Sequence, residues 1–123
     1  MTSLSRRAAL ALPFAAPLAS PALAQAPWPT RPIRIVVAFG TGGGTDITTR
    51  LLAPRLSEIL GQPVIVENRG GAGGTVGADY VAKQPPNGET FLLATVSNMA
   101  LALGLYARLP YDPLRDLASV APT

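Results

Sequence analysis

The chain contains no histidine and no cysteine. The two absences exclude His- or Cys-ligated zinc, His-held haem, iron–sulfur clusters, disulfides, and Ser-His-Asp or Cys-His catalysis. Lack of cysteine does not fix the compartment, because oxidising compartments also hold Cys-free proteins. Charge is scarce. Only 14% of residues are charged, too few for a coiled coil, while 48% are apolar, too many for a disordered chain. No basic run exists after position 7. Ten Lys and Arg face seven acids, but Arg6 and Arg7 lie in the leader, so the remainder is close to balance. This argues against a nucleic-acid partner. Twelve Gly and thirteen Pro among 123 residues show no collagen-like period and cluster at element ends.

Residues 1–24 read MTSLSRRAALALPFAAPLASPALA. Two Arg precede an apolar stretch that ends in Ala22-Leu23-Ala24, an A-x-A cleavage pattern. This predicts a secretory signal peptide. A membrane helix fits poorly, because the apolar run is short and Pro13, Pro17 and Pro21 interrupt it. Ser5-Arg6-Arg7-Ala8-Ala9-Leu10 resembles a twin-arginine signal, with Ala9 where a large apolar residue is usual, so general secretion stays open. About a hundred residues then remain, enough for one small domain.

Residues 25–32 form an extended lead-in, since Pro29 and Pro32 disfavour helix in the residues before them. Ile33 to Phe39 is a β-branched run that predicts a buried parallel strand. Gly40-Thr41-Gly42-Gly43-Gly44 breaks it, and Thr45 or Asp46 is a suitable N-cap for a helix to about Leu60. Leu52, Leu56 and Ile59, flanked by Leu60, are its expected inward face, and Pro54 is expected to bend it. The cycle repeats. Val64–Val66 is a second strand, Asn68–Gly74 a second Gly-rich loop, and Thr75 to about Lys83 a second helix. Thr90–Val96 is a third strand, Ser97 or Asn98 caps a third helix to about Tyr106, and Leu117–Val120 starts a fourth strand. Strand–helix alternation at this spacing predicts right-handed βαβ units and an α/β fold with a parallel sheet.

Both Gly-rich loops follow strands and precede helices. Parallel strands place them on one sheet edge, above the carboxyl ends. Each helix start directs unpaired N–H groups and a partial positive charge into the same crevice. The guest suited to it is an anion, carboxylate or phosphate. One such loop is often only a tight turn; two facing one crevice favour a ligand. A P-loop is excluded because Thr45, not Lys, follows Gly44. A dinucleotide site is the alternative, with Gly40-x-Gly42 after the strand and Glu67 where a ribose-binding acid would sit, but Thr45 takes the place of the third fingerprint glycine. Asp46 reads as a helix-start residue rather than a catalytic acid or metal ligand. Arg69 either pairs with an anionic ligand or ties Glu67 or a loop carbonyl. Tyr106 and Tyr111 read as packing at a turn.

Five ordered blocks carry a resemblance: Trp28-Pro29-x-Arg31-Pro32-Ile33-Arg34; Phe39-x-x-Gly42-Gly43-x-x-Asp46; Leu60-Gly61-Gln62-Pro63-Val64-Ile65-Val66-Glu67-Asn68-Arg69-x-Gly71-Ala72-Gly73-Gly74; Pro86-x-Gly88-x-Thr90; and Leu109-Pro110-Tyr111-Asp112-Pro113. Together they resemble the extracytoplasmic solute receptors of tripartite tricarboxylate transporters, the TctC or Bug family. The resemblance implies an exported, Gram-negative periplasmic receptor without cofactor, metal or catalytic residues. It implies a type II periplasmic binding fold of two α/β lobes, monomeric at full length and working with the transporter's membrane subunits. A small carboxylate is held by backbone amides and small hydroxylic side chains, often with ordered water. Carried onto this sequence, the ligand residues are Thr41, Gly43, Gly44 and Asp46 in the first loop, Ala72, Gly73, Gly74 and Thr75 in the second, and Ser97 and Asn98 after the third strand. Gly70 stands where the family commonly has Pro, and Asn87 where it commonly has Asp. Residues 33–123 are expected to be part of the first lobe, with the second lobe missing and the product truncated.

Overall fold

The computed structural model describes residues 27–122, so the leader expected over residues 1–24 lies outside the described residues. Three strands form the sheet: β1, Ile33–Val37; β2, Val64–Asn68; and β3, Thr90–Leu93. Helix α1, Gly44–Leu60, joins β1 to β2. A 3-10 turn, Ala72–Gly74, leads into α2, Thr75–Ala82, which joins β2 to β3. A π-helical turn, Ser97–Leu101, continues into α3, Ala102–Leu105.

The sheet order is β2-β1-β3, all parallel. The first crossover steps one way from β1 and the second steps back across it. Right-handed crossovers in opposite directions put α1 and α2 on opposite faces. Side-chain bonds agree. Asn68, level with Val37, reaches Asp46 of α1. Arg34, on the other face, donates to the Tyr80 hydroxyl of α2 at 3.0 Å. The core is the middle strand, with Ile33, Val36, Val37 and Ala38 buried, closed by Ala53 from α1 and by Ala78 and Val81 from α2. β1 is covered on both faces, as its β-branched composition requires.

Helix α2 packs very near the sheet. A Cβ added at Gly77 would lie 2.7 Å from Ala38 Cβ and 2.8 Å from both Ala38 Cα and the Arg69 carbonyl oxygen. Only glycine allows that approach. At the opposite, amino end of the strands, the Trp28 indole lies against Gly88, where an added Cβ would meet Nε1 at 3.0 Å.

Three details depart from expectation. The inward stripe of α1 is Asp46, Thr49 and Ala53, whereas Leu52 is 43% and Ile59 66% exposed. Small and polar residues of α1 are the buried ones, and its larger apolar residues Leu52 and Ile59 turn away. Strand β3 ends at Leu93, and Leu117–Val120 pairs with no strand among the described residues. With no neighbouring strand beside it, a β-favouring segment has no ladder to join.

Candidate functional site

The carboxyl ends of β1 and β2 deliver the two Gly-rich loops side by side. Gly70 packs on the backbone of Phe39 and Gly40, where an added Cβ would sit 3.3 Å from the Gly40 amide nitrogen. The Phe39 ring and Asn98 close on Gly74. The two loops and the segment carrying Asn98 therefore lie side by side at the carboxyl ends of the parallel strands.

The first loop is organised by a carboxylate. Gly43, not Thr45 or Asp46, occupies the N-cap position of α1, and no side chain caps the helix. Asp46 lies inside the first turn, 2% exposed. Its Oδ2 accepts the Gly42 N–H at 2.8 Å, and its Oδ1 accepts Arg50 Nε and Asn68 Nδ2, each at 2.9 Å. Asn68 also donates to the Phe39 carbonyl, and Arg50 Nη2 donates to Asn68 Oδ1. The Gly42 amide, then Arg50 and Asn68, hold the Asp46 carboxyl down at a pKa of about 2. The first bond of α1 runs from the Ile47 N–H to the Gly43 carbonyl. The amides of Gly44, Thr45 and Asp46 thus lack partners within the helix. Thr41 is exposed in the turn before them.

The second loop is organised by backbone conformation. Gly71, Ala72, Gly73 and Gly74 all have positive φ, at 137, 45, 65 and 92°. Ala72 is the exception among these residues, since a side chain makes left-handed backbone unfavourable by about 1–2 kcal/mol. Its carbonyl accepts the Thr75 hydroxyl at 2.9 Å, the Thr75 N–H, and the Tyr106 hydroxyl at 2.9 Å. Ser97 Oγ donates to the Gly73 carbonyl at 2.8 Å. Gly74 N–H bonds the Gly71 carbonyl, whereas the Gly73 N–H has no partner among the described residues.

The third segment sits beneath. Asn98 is fully buried; its Oδ1 accepts the Thr95 N–H, and Tyr111 donates its hydroxyl to the Asn98 carbonyl. Burial raises the Tyr111 pKa, with Asp79 and Tyr106 adding to it, so the phenol stays a donor. Asn98 Nδ2 is buried without a hydrogen-bond partner and lies against Gly74. An orphan donor of this kind suits a bound water or a ligand oxygen.

Of the two readings of Arg69, the tie to Glu67 is realised: Arg69 Nη2 lies 2.6 Å from Glu67 Oε1, and its guanidinium stacks on Tyr80 at 3.6 Å. Sequence reasoning passed over Asn68, Arg50 and Tyr106. Asn68 stands in one of the five sequence blocks and Arg50 on a helix turn, but neither position reveals the partner it meets, and Tyr106 reads as a turn residue until the chain brings it to Ala72. A shallow groove between α1 and β2, lined by Arg50, Ala53, Pro54, Ser57, Pro63, Val64 and Val66, contains none of the predicted site residues.

Comparison with known proteins places this geometry among relatives. The family model for the tripartite tricarboxylate transporter family receptor, TctC, matches residues 48–123. A UPF0065 protein of Bordetella bronchiseptica is 46% identical over 116 residues, which are 94% of this chain and 35% of that protein. The periplasmic binding protein BugD superposes with a TM-score of 0.69 at 42% identity, over 72% of this chain and 29% of BugD. MatC from Rhodopseudomonas palustris, solved with bound malate, gives 0.69 at 38% identity, over 72% of this chain and 30% of MatC. An R. palustris protein solved with adipate gives 0.63 at 41% identity, over 71% of this chain and 29% of that protein. The chain spans about a third of the length of these relatives.

Proposed function

The chain belongs to the tripartite tricarboxylate transporter receptor family, TctC, and from that premise we propose that it is the carboxylate-gripping part of a periplasmic solute receptor. In this reading the two loops hold one ligand carboxylate through backbone amides: Gly43, Gly44 and Thr45 from the first, Gly73 from the second. Thr41 supplies a hydroxyl group, Asn98 donates from below, directly or through water, and the Thr75 and Ser97 hydroxyls, which donate to the Ala72 and Gly73 carbonyls, brace the second loop. Ala72 and Gly74 shape the second loop, and Asp46 fixes the first without touching the ligand. No catalytic step is needed; capture requires only different affinities for open and closed states. The whole receptor would be exported to the periplasm, bind as a monomer and deliver its solute to membrane subunits of the transporter.

The observation that carries this reading is the set of unpartnered amides on one sheet edge, at the start of α1 and in the loop before α2. Charge-assisted bonds to such amides are worth about 1.5–3 kcal/mol each. The amides are already oriented, so little ordering entropy opposes binding. Solved relatives with malate and adipate support a small dicarboxylate. A dinucleotide is disfavoured because Glu67, the residue that would take ribose hydroxyls, is engaged by Arg69 and by Arg34 at 3.8 Å.

A chimera of MatC in which residues 28–122 of this chain replace the matching segment tests the proposal. Calorimetry should show retained malate binding and no heat with NAD. A folded chimera that ignores malate, adipate and citrate would overturn it.

A further inference from the structure

The second loop carries a backbone that is unfavourable on its own. Four consecutive residues have positive φ, and one of them, Ala72, has a side chain. Local bonds from the Thr75 N–H and hydroxyl hold the Ala72 carbonyl, and a second set of bonds comes from outside the loop. Two hydroxyls from the segment after β3 reach across to it. Tyr106 donates to the Ala72 carbonyl and Ser97 to the Gly73 carbonyl. Both partners are more than twenty residues away in sequence, so these are tertiary bonds and not local turn chemistry.

In a trans peptide the C=O and the following N–H point in opposite directions. The Ala72 carbonyl faces Tyr106, so the Gly73 N–H must face away from it. The Gly73 carbonyl faces Ser97, so the Gly74 N–H also turns away, but the Gly71 carbonyl takes it up internally. The clamp therefore turns the Gly73 N–H, which has no partner among the described residues, away from Tyr106. A Cβ added at Gly73 would sit 3.5 Å from the Tyr106 hydroxyl and 3.7 Å from Ser97 Oγ, so both clamp groups border this residue.

We propose that Tyr106 and Ser97 are positioning residues that aim the Gly73 amide at the ligand carboxylate by holding the carbonyls of Ala72 and Gly73. The proposal rests on the reading of the loops as a carboxylate site. It assigns Tyr106 a role that its place in a turn does not suggest. It also gives Ser97 a job on the protein backbone rather than on the ligand.

The test uses the full chain labelled with nitrogen-15. The N–H residual dipolar coupling of Gly73 reports the direction of that bond with no ligand present, and malate titration reports affinity. In the double variant Tyr106→Phe with Ser97→Ala, the Gly73 coupling should change while those of β1, β2 and α1 stay as in the parent. Malate affinity should fall at least tenfold. Ser97→Thr, which keeps the hydroxyl, should preserve both readouts. If the double variant does not fold, Tyr106→Phe alone is read in the same way. An unchanged Gly73 coupling with weakened binding, or an unchanged affinity with a reoriented amide, overturns the positioning role. A reoriented amide in the variant, with no loop amide of the parent shifted by malate, overturns the carboxylate reading and leaves the clamp as a purely structural device.

Discussion

The loop after β1 and the loop after β2 look alike in one dimension and are held by different physics. The first is tied by charge. One buried carboxylate, Asp46, gathers the Gly42 amide, Arg50 and Asn68, and the loop's glycines are otherwise lightly constrained. The second contains no charged group after Arg69, which is turned to Glu67, and from Gly70 on it is held by neutral hydroxyls on its carbonyls, against a left-handed backbone. Equivalent glycine content thus conceals one loop that should answer to pH and one that should answer to packing. An anion held between them would be gripped by a charge-braced jaw and a conformationally braced one.

The sharpest break should come at Gly73. Its φ of 65° disfavours a β-branched side chain, and a Val there would also fill the space the carboxylate is proposed to use. Gly73→Val should lower malate affinity more than a hundredfold in calorimetry, with circular dichroism confirming the fold. Unchanged affinity would remove the second loop from the site.

Gly77→Ala should break both loops together, because Gly77 packs on Ala38 just before the first loop and on Arg69 at the start of the second. The obstructing atoms at Ala38 Cα and the Arg69 carbonyl are backbone, so helix and sheet must separate. A destabilisation of about 1–3 kcal/mol is expected from overpacking, measured as a fall in the urea midpoint. An unaltered midpoint would show that α2 can shift freely.

Asp46→Asn separates the loops by pH. The folded pKa of about 2 lies below the ordinary value of 3.8 for an aspartate. Between these values the unfolded chain binds the proton first, so this group's stabilisation is complete above about pH 4 and is lost as pH falls through about 2. An amide offers one acceptor oxygen where the carboxylate offers two, and three donors converge there. The substitution should therefore weaken the first loop at neutral pH, beyond the mild effect expected of a simple cap exchange. Acid titration followed by NMR should show the Gly42 amide shifting between about pH 4 and 2 in the parent and not in the variant. An identical acid profile would mean that the carboxylate does not brace the loop.

The smallest effect should be at Gly44, which opens α1, has no positive φ, and would place a Cβ in open space. Gly44→Ala should raise the thermal midpoint slightly, by up to about 0.5–1 kcal/mol in stability, through helix propensity. A loss of stability there would show that the first loop is as conformationally demanding as the second.

Strands and loop positions were legible because they depend on local composition. The β-branched run from Ile33, the shorter one from Val64 and the Gly clusters after each state the βαβ cycle directly. The common edge of the loops followed from parallel topology alone. The face of α1 was not legible, because Leu52, Leu56 and Ile59 satisfy helical spacing as well as Thr49 and Ala53 do. Tertiary partners decide between them: Asp46, on the same face as Thr49 and Ala53, is drawn to Asn68 of β2. Asp46 was legible as a residue that accepts backbone N–H at a helix start, but not as the centre of a network, since Asn68 arrives from another strand. Tyr106 was invisible as a partner of Ala72, because no local pattern links a residue after one helix to a loop before another.

Trp28 is the only tryptophan in the sequence, and its indole rests on Gly88 at the amino end of the strands. Optically this divides the molecule into a part that is seen and a part that is dark. Emission from Trp28 should follow the docking of the lead-in and the melting of the sheet. It should stay silent when a small acid enters at the far edge, where the nearby chromophores are Phe39 and Tyr106. Intrinsic fluorescence is therefore a measure of folding that does not compete with the measurement of binding, and the two can be recorded in one cuvette without correcting either for the other.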